Sequence, residues 1–321
     1  MKTRLFTDKN ISRLGNFVDR HILSVPLLKN GIPPFSSVEF SINGACNRRC
    51  HFCPRINKKD YPNILENLDI GAFKNLINDL VTINYTGRFS FSGFCEPLLT
   101  KNLHEYISEI KVHLPKTIVE IVSNGDVLLS KNGKKMLTKL YDSGLDAIRV
   151  SLYDGPHQIK IFKKLKHKLS LNDKQFMIRE RFLDQDKSFG LTISNRAGCV
   201  RLKTDYFELK PLKEPLKKSC HYPFYKVLID HDGTVLMCSN DWKKEKPLGN
   251  ILNESLLKIW SNSEFIKVRK KLSQKDRCHK PCNVCDVNGT LNGKVSFEYW
   301  KKYFLKNKII AGQFQLRKQN Y

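Results

Sequence analysis

The sequence predicts an α/β chain: a partial (β/α)6 TIM-like barrel followed by a small C-terminal β-hairpin plus helices. Three observations predict it. Segments with period-two apolar alternation recur between segments with helical i, i+3, i+4, i+7 spacing, which is the pattern of parallel β/α units. That alternation begins at Ser37 and ends near residue 200, at the lysine-rich stretch Lys203–Lys218. Beyond it stand one hairpin signal and two short amphipathic segments. A length of 321 residues, at roughly 100–200 per domain, accommodates this two-part reading.

Residues 1–36 are basic, contain Pro26, Pro33 and Pro34 and show no sustained periodicity, so they read as an N-terminal arm. In the first strand, Val38, Phe40 and Ile42 alternate with Ser37, Glu39 and Ser41. Phe73, Leu76, Ile77 and Leu80 make the apolar stripe of a helix. A strand at about 88–93, a helix at 103–110, a strand at 117–122, a helix carrying Met136, Leu137 and Leu140, and a strand at 147–152 follow. A helix at 158–169, a strand at 175–181 and a short sixth strand, Leu191–Ser194, complete the barrel segment, 37–199. Eight units close a full barrel; six leave it open, with ligands expected at the C-terminal ends of the strands.

After a linker at 200–219, residues 220–290 form the second unit and 291–321 a C-terminal helix and tail. Lys226–Cys238 reads as a hairpin turning at Asp232-Gly233, with Val227 and Ile229 on one arm and Val235 and Met237 on the other. Two helices follow. One is expected to be capped by Asn253 with Leu256, Leu257 and Trp260 inward; the other buries Phe265, Val268 and Leu272.

Composition narrows the function classes. Apolar residues at 40% and charged ones at 27% are ordinary globular usage and exclude wholesale disorder. No apolar run approaches the ~18 residues of a membrane span, and the N-terminus lacks the apolar core of a secretory signal. A cytoplasmic location is expected. Net charge is +25, with 41 Lys against 15 Arg. Lysine-rich segments such as Lys163-Lys164-Leu165-Lys166 suit phosphate contacts or solvated faces, and AT-rich coding alone also produces them.

The ten cysteines fall into a pattern. Cys46, Cys50 and Cys53 form C-x3-C-x2-C directly after the first strand. A structural zinc takes four protein ligands, and a closed iron-sulfur cluster generally takes four cysteines. Three on one tight loop leave an iron of a [4Fe-4S] cluster open to substrate. A zinc site completed by His51 or a distant cysteine is the alternative.

This motif, placed after the first strand of a six-unit barrel, resembles the radical SAM superfamily. The resemblance covers about residues 37–199. It implies a [4Fe-4S] cluster held by Cys46, Cys50, Cys53 and S-adenosylmethionine, reductive cleavage to a 5′-deoxyadenosyl radical, and hydrogen abstraction from substrate. Ser92-Gly93-Phe94-Cys95-Glu96-Pro97 resembles the family's Gly-Gly-Glu region, with Glu96 as acceptor for the cofactor's amino group and Cys95 where glycine is usual. Ser123-Asn124-Gly125 resembles its Ser/Thr-Asn-Gly turn, Ser151 a ribose-side contact, and Phe52 the residue beside adenine. Asn195-Arg196 would face the same mouth, or serve as a turn.

Cys220, Gly233, Cys238, Gly249-Asn250-Ile251, Trp260 and the Cys282-x2-Cys285 pair resemble the SPASM/twitch appendage of these enzymes, in its single-auxiliary-cluster form, similar to aminocyclitol dehydrogenases. That resemblance implies one auxiliary [4Fe-4S] cluster on Cys220, Cys238, Cys282 and Cys285, with Cys278 as the substitute ligand. A four-cysteine zinc ribbon fits the same spacing. Cys95 and Cys199 read as buried thiols acting as small apolar residues.

Three function classes follow. The first is a radical SAM oxidoreductase that removes hydrogen from a small polar or carbohydrate-like molecule, possibilities including sugar-, aminocyclitol- and nucleotide-linked ones, with flavodoxin or ferredoxin as electron donor; nothing in the sequence singles out its base. The second is a peptide or protein maturase, against which stand the 45 residues before Cys46 and Ser239 after Cys238. The third is a basic RNA-binding module with a structural zinc.

Overall fold

The computed structural model describes residues 9–182, 193–205 and 207–318. Its strands are β1 (Ser37–Phe40), β2 (Asn43–Gly44), β3 (Ile64–Asn67), β4 (Arg88–Phe91), β5 (Ile118–Ser123), β6 (Ala147–Leu152), β7 (Phe176–Glu180), β8 (Lys226–Ile229), β9 (Thr234–Leu236) and β10 (Pro247–Asn250). Its helices are α1 (Lys9–Ser24), α2 (Ile70–Val81), α3 (Leu103–His113), α4 (Gly133–Asp142), α5 (His157–Lys168), α6 (Tyr222–Tyr225), α7 (Leu256–Ser261), α8 (Ser263–Ser273) and α9 (Lys294–Lys318).

One eight-stranded sheet, in the order β10-β9-β8-β1-β4-β5-β6-β7, runs through both parts of the chain. β1 is central and parallel to both neighbours: Val38 stands opposite Phe89 of β4 and Val227 of β8. The hairpin expected to begin a separate unit therefore extends the barrel sheet. β9 and β10 add to it in antiparallel sense. Five of the six expected parallel strands lie in β1 and β4–β7; of the sixth, Leu191 and Thr192 are outside the described residues, while Ile193 and Ser194 carry no strand pairing.

The pleat sorts the side chains. Val38, Phe40, Phe89, Phe91, Val119, Ile121, Ile148 and Val150 are buried in one core with the inward stripes of α2 (Phe73, Leu76, Ile77, Leu80) and α3 (Tyr106, Ile107, Ile110). The alternate residues, Glu39, Ser90, Glu120, Arg149 and Arg179, face the concave side, where they line a cavity. The same core continues through Trp260, Phe265 and Leu272 to Trp300 on α9. There the Arg269 guanidinium lies 3.6–4.1 Å from the ring centres of Phe265, Trp260 and Trp300.

Two expectations are corrected. The N-terminal arm holds a 16-residue helix, α1, whose Val18 and Ile22 are fully buried; its packing against α9 is a tertiary contact that the local pattern did not disclose. The α7 cap is Ser255, whose hydroxyl accepts the Lys258 amide, whereas Asn253 is exposed. Leu257 is only half-buried and Ile259 takes the inward place instead.

His21 on α1 is buried beside Tyr85, with Nε2 3.2 Å from the Thr86 hydroxyl. Burial pushes its pKa down to about 4. The unfolded chain takes up a proton near the ordinary value of about 6.5 and the folded chain does not, so stability falls as pH drops from about 6.5 toward 4, by about 3 kcal/mol at most. Denaturant titrations across that window should show the slope in the natural protein and a shallower one in His21→Leu. Equal slopes would refute the assignment.

Candidate functional site

The cavity lies on the concave face of the sheet and measures about 390 Å³. Phe52, Glu96, Ser123, Asn124 and Ser151, all named from sequence, line it together with Cys46, Cys50 and Cys53. These residues come from four successive strand ends, which the parallel register brings to one edge.

The cysteine loop is fastened by side chains between and beside its thiols. Asn43 starts it: its Nδ2 donates to Thr100 Oγ1 at 2.8 Å, and its Oδ1 accepts the Ala45 amide at 2.8 Å. Asn63 bonds both the amide and the carbonyl of Cys46 at 3.1 Å. Arg48 reaches Asp126 after β5 and Asp154 after β6, at 2.7 and 2.6 Å. Arg49 donates to the carbonyls of Arg55 and Tyr61, and Arg55 to that of Phe94 at 2.6 Å. The loop is thus held across the mouth by charge-assisted bonds to three neighbouring strand ends.

Glu96 is 2% exposed. Its two oxygens accept the Leu98 amide at 3.1 Å and the Asn124 amide at 2.7 Å. Burial pushes its carboxyl up to about 7, although these bonds and the Ser123 hydroxyl pull the other way. Gly125 adopts φ 80°, and a Cβ there would meet Val150 at 2.5 Å and Phe162 at 2.7 Å, so the Ser-Asn-Gly turn requires its glycine. Asn124 Nδ2 donates to Asn47 Oδ1 at 2.8 Å and lies 3.9 Å from the Cys46 sulfur. Phe52 packs on Tyr153 with ring centres 5.4 Å apart.

Among the described residues no three His, Cys, Asp or Glu side chains are gathered closely enough to hold a metal ion as they stand. Fit therefore rests on the donor chemistry. Burial raises the pKa of all three loop thiols, to about 12 for Cys50, whose thiol also responds to the charges of Cys53 and Cys46. Such thiols ionise when a metal replaces the proton.

The second set is Cys220, Cys238, Cys282 and Cys285. Cys238, Cys282 and Cys285 are buried, and burial raises all four thiol pKa values, with repulsion from neighbouring thiols adding to it at Cys238, Cys282 and Cys285. Cys278, by contrast, is exposed. Arg277, 2% exposed, donates to the carbonyls of Lys218, Ser219, Val287 and Asn288 at 2.7–3.0 Å, tying the Cys220 segment to the chain after Cys285. It makes no ion pair among the described residues, and its charge acts on Cys220, Cys282 and Cys285. A buried cation without a carboxylate fits a centre that is anionic when its thiolates are occupied. Gly289, with φ 72°, is required there because a Cβ would overlap the Cys220 sulfur.

Of Asn195 and Arg196, both expected at the mouth or in a turn, only Arg196 is in the cavity lining. Asn195 bonds Asp286 and the Val284 carbonyl, joining the barrel end to the Cys282–Cys285 turn, and Arg196 lines the cavity with positive φ. Cys95 and Cys199 pack against apolar clusters, Cys95 also bordering the cavity. Sequence reasoning missed Tyr153, Trp242, the Glu39–Lys226 pair and a row of arginines on the cavity wall. Arg149-x-Ser151-x-Tyr153 shows the signal that could have found the strand residues: polar side chains at every second position of an otherwise apolar strand.

Comparison with known proteins agrees with this geometry. Residues 220–286 match the SPASM family, described as an iron-sulfur cluster-binding domain. Over 259 residues the chain is 29% identical to the S-adenosyl-L-methionine-dependent 2-deoxy-scyllo-inosamine dehydrogenase of Niallia circulans, covering 79% of this chain and 94% of that protein. The crystal structure of BtrN in complex with AdoMet and 2-DOIA superposes with TM-score 0.64 at 26% identity, over 81% of this chain and 96% of that one. BtrN in an open conformation gives 0.57 at 24% identity, over 79% and 92%. No described helix is long and apolar enough to cross a membrane.

Proposed function

Because the chain is a radical SAM enzyme with a C-terminal SPASM iron-sulfur domain, we propose that it dehydrogenates a small carbohydrate-like alcohol. One observation carries this: a single cavity is lined by the three loop cysteines and by Tyr222 and Ser239, which neighbour Cys220 and Cys238 of the second set. A molecule in that cavity meets the first set directly and the second through residues one or two positions from its cysteines. Cys46, Cys50 and Cys53 would hold one cluster, which with S-adenosylmethionine would supply hydrogen-atom abstraction, and Cys220, Cys238, Cys282 and Cys285 would hold a second, which would supply an electron acceptor.

The chain's own residues do the rest. Glu96 offers a carboxylate to the ammonium of S-adenosylmethionine, Phe52 and Tyr153 offer an aromatic wall, and Ser151 offers a hydroxyl. Lys226 bonds Glu39 at 2.8 Å and Ser239 at 3.1 Å, fixing a polar floor beside Cys238. The same cavity of about 390 Å³ also has to take S-adenosylmethionine, and the room left within a site at the lower end of the ~300–1,000 Å³ range supports a small substrate over a peptide. A flavodoxin or ferredoxin would supply the priming electron, and the basic surface suits an acidic donor.

Anaerobic reconstitution with S-adenosylmethionine and dithionite should yield 5′-deoxyadenosine; a protein that binds zinc and no iron would sink the proposal. Glu96→Gln removes the charge but keeps an acceptor for the Asn124 amide. S-adenosylmethionine affinity should drop about tenfold in equilibrium dialysis, the loss of a charge-assisted bond. Unchanged affinity would remove Glu96 from the site.

A further inference from the structure

The distribution of positive charge on the cavity wall goes further and names the substrate class. Among the described residues seven arginines but one lysine line the cavity, in a chain of 15 arginines and 41 lysines. Biased codon usage explains scattered surface lysines; it does not gather arginines at one wall. Against these eight cations the lining holds, among the described residues, three carboxylates, Glu39, Glu96 and Glu120.

Arg179 and Arg181 have partners of their own, and among the other described cations the pairings do not close the balance. Lys226 is matched by Glu39, and Arg48 by Asp126 and Asp154 outside the cavity. Arg88 and Arg149 share the single carboxylate of Glu120, itself 1% exposed, so this group keeps one positive charge in excess. Arg88 Nε has no hydrogen-bond partner although it is buried. Arg55 donates to carbonyls and to the Asn63 amide oxygen, and Arg196 to the amide oxygen of Asn240 at 3.3 Å. Trp242 Nε1 is a further buried donor without a partner.

The cofactors do not neutralise the excess. A [4Fe-4S]2+ cluster on three thiolates would carry one net negative charge and S-adenosylmethionine bound to it through an unprotonated amino group none, so together they would add one negative charge, facing Arg55 and Arg196, whose charges act on Cys53, and the surplus at Arg88, Arg149 and Glu120 stays in place. Buried cations in excess are costly until an anion arrives, and arginine's planar fork suits phosphate. An ammonium, such as the one on the inosamine of the Niallia circulans enzyme, would meet charge of its own sign.

We infer that the substrate is a phosphorylated polyol, a sugar or cyclitol phosphate monoester whose phosphate is taken by this arginine wall. This rests on the dehydrogenase reading above. The probes are myo-inositol 1-phosphate against myo-inositol and 2-deoxy-scyllo-inosamine, titrated calorimetrically into the reconstituted full chain with S-adenosylmethionine. The phosphate should bind at least about tenfold more tightly than either of the others, and more weakly as salt is raised. Arg149→Gln and Arg196→Gln should each weaken it about tenfold. Should Arg149→Gln fail to fold, Arg196→Gln on the loop after the barrel carries the test.

Equal or tighter binding of the neutral or amino compound, no binding of the phosphate, or unchanged binding by a folded variant would each overturn the inference. The 5′-deoxyadenosine formed without any substrate is scored in the same preparations. Its formation without phosphate preference sinks only the substrate class. Its absence alongside phosphate preference sinks the radical reading instead.

Discussion

Cys50→Ala is expected to abolish 5′-deoxyadenosine formation, leaving product at the level of protein-free controls. Two thiols cannot hold a cluster that depends on three and an open iron. Iron should fall from about eight to about four per chain, because the second set is untouched. The fold should survive: the loop is held by Arg48, Arg49 and Arg55 and not by Cys50, which is only partly buried. Stability before reconstitution should therefore change by about 1 kcal/mol or less. Iron analysis, thermal melts and chromatographic assay of the nucleoside check the three parts. Persistent 5′-deoxyadenosine would refute the radical SAM assignment of this loop.

The second large effect separates the two cysteine sets. Cys238→Ala should also leave about four irons per chain, but of the other centre. S-adenosylmethionine would still be cleaved, and the oxidised product should disappear because the electron acceptor beside the substrate is gone. Cys278→Ala provides the contrast: its thiol is exposed, unlike the other four, so both iron content and turnover should match the natural protein. The opposite result, iron lost with Cys278 and kept with Cys282→Ala, would move the ligand set to the substitute named from spacing. Cys238 is buried and borders the main core, so its variant needs a melt to show that lost product reflects lost iron.

Much of the site was readable because it depends on short-range spacing. C-x3-C-x2-C after an alternating strand, the Ser-Asn-Gly turn and the Glu96 position each lie within one loop, and parallel units put successive loops at one edge. All five proposed cofactor contacts consequently line one cavity. The choice of Cys282 over Cys278 was also made from spacing, and burial supports it. Features that join distant segments were not readable. Arg48 meets Asp154 across 106 positions, Lys226 meets Glu39 across 187, and α1 is tied to α9 through Asp19 and the Val295 amide across 276. No local periodicity reports such pairs.

The Asn253 cap illustrates the limit at short range. Asparagine is a good capping type, but Ser255 stands nearer the first buried residue, Leu256, whose amide is taken by Asp79 of α2 at 2.7 Å. A tertiary hydrogen bond chose between two acceptable starts. Likewise the hairpin was found at its own residues, while its place beside β1 in one sheet depended on parallel pairing between segments some 190 positions apart.

By itself the sequence determined the alternation of strands and helices, the two cysteine sets and the chemistry their donors imply, since these follow from residue type and local spacing. Tertiary structure alone decided what the +25 charge does. Composition cannot distinguish lysines spread through solvent from arginines turned inward, because both count alike. The pleat of β4, β6 and β7 places Arg88, Arg149 and Arg179 on the concave wall, where low dielectric makes each matter more than many lysines at the surface.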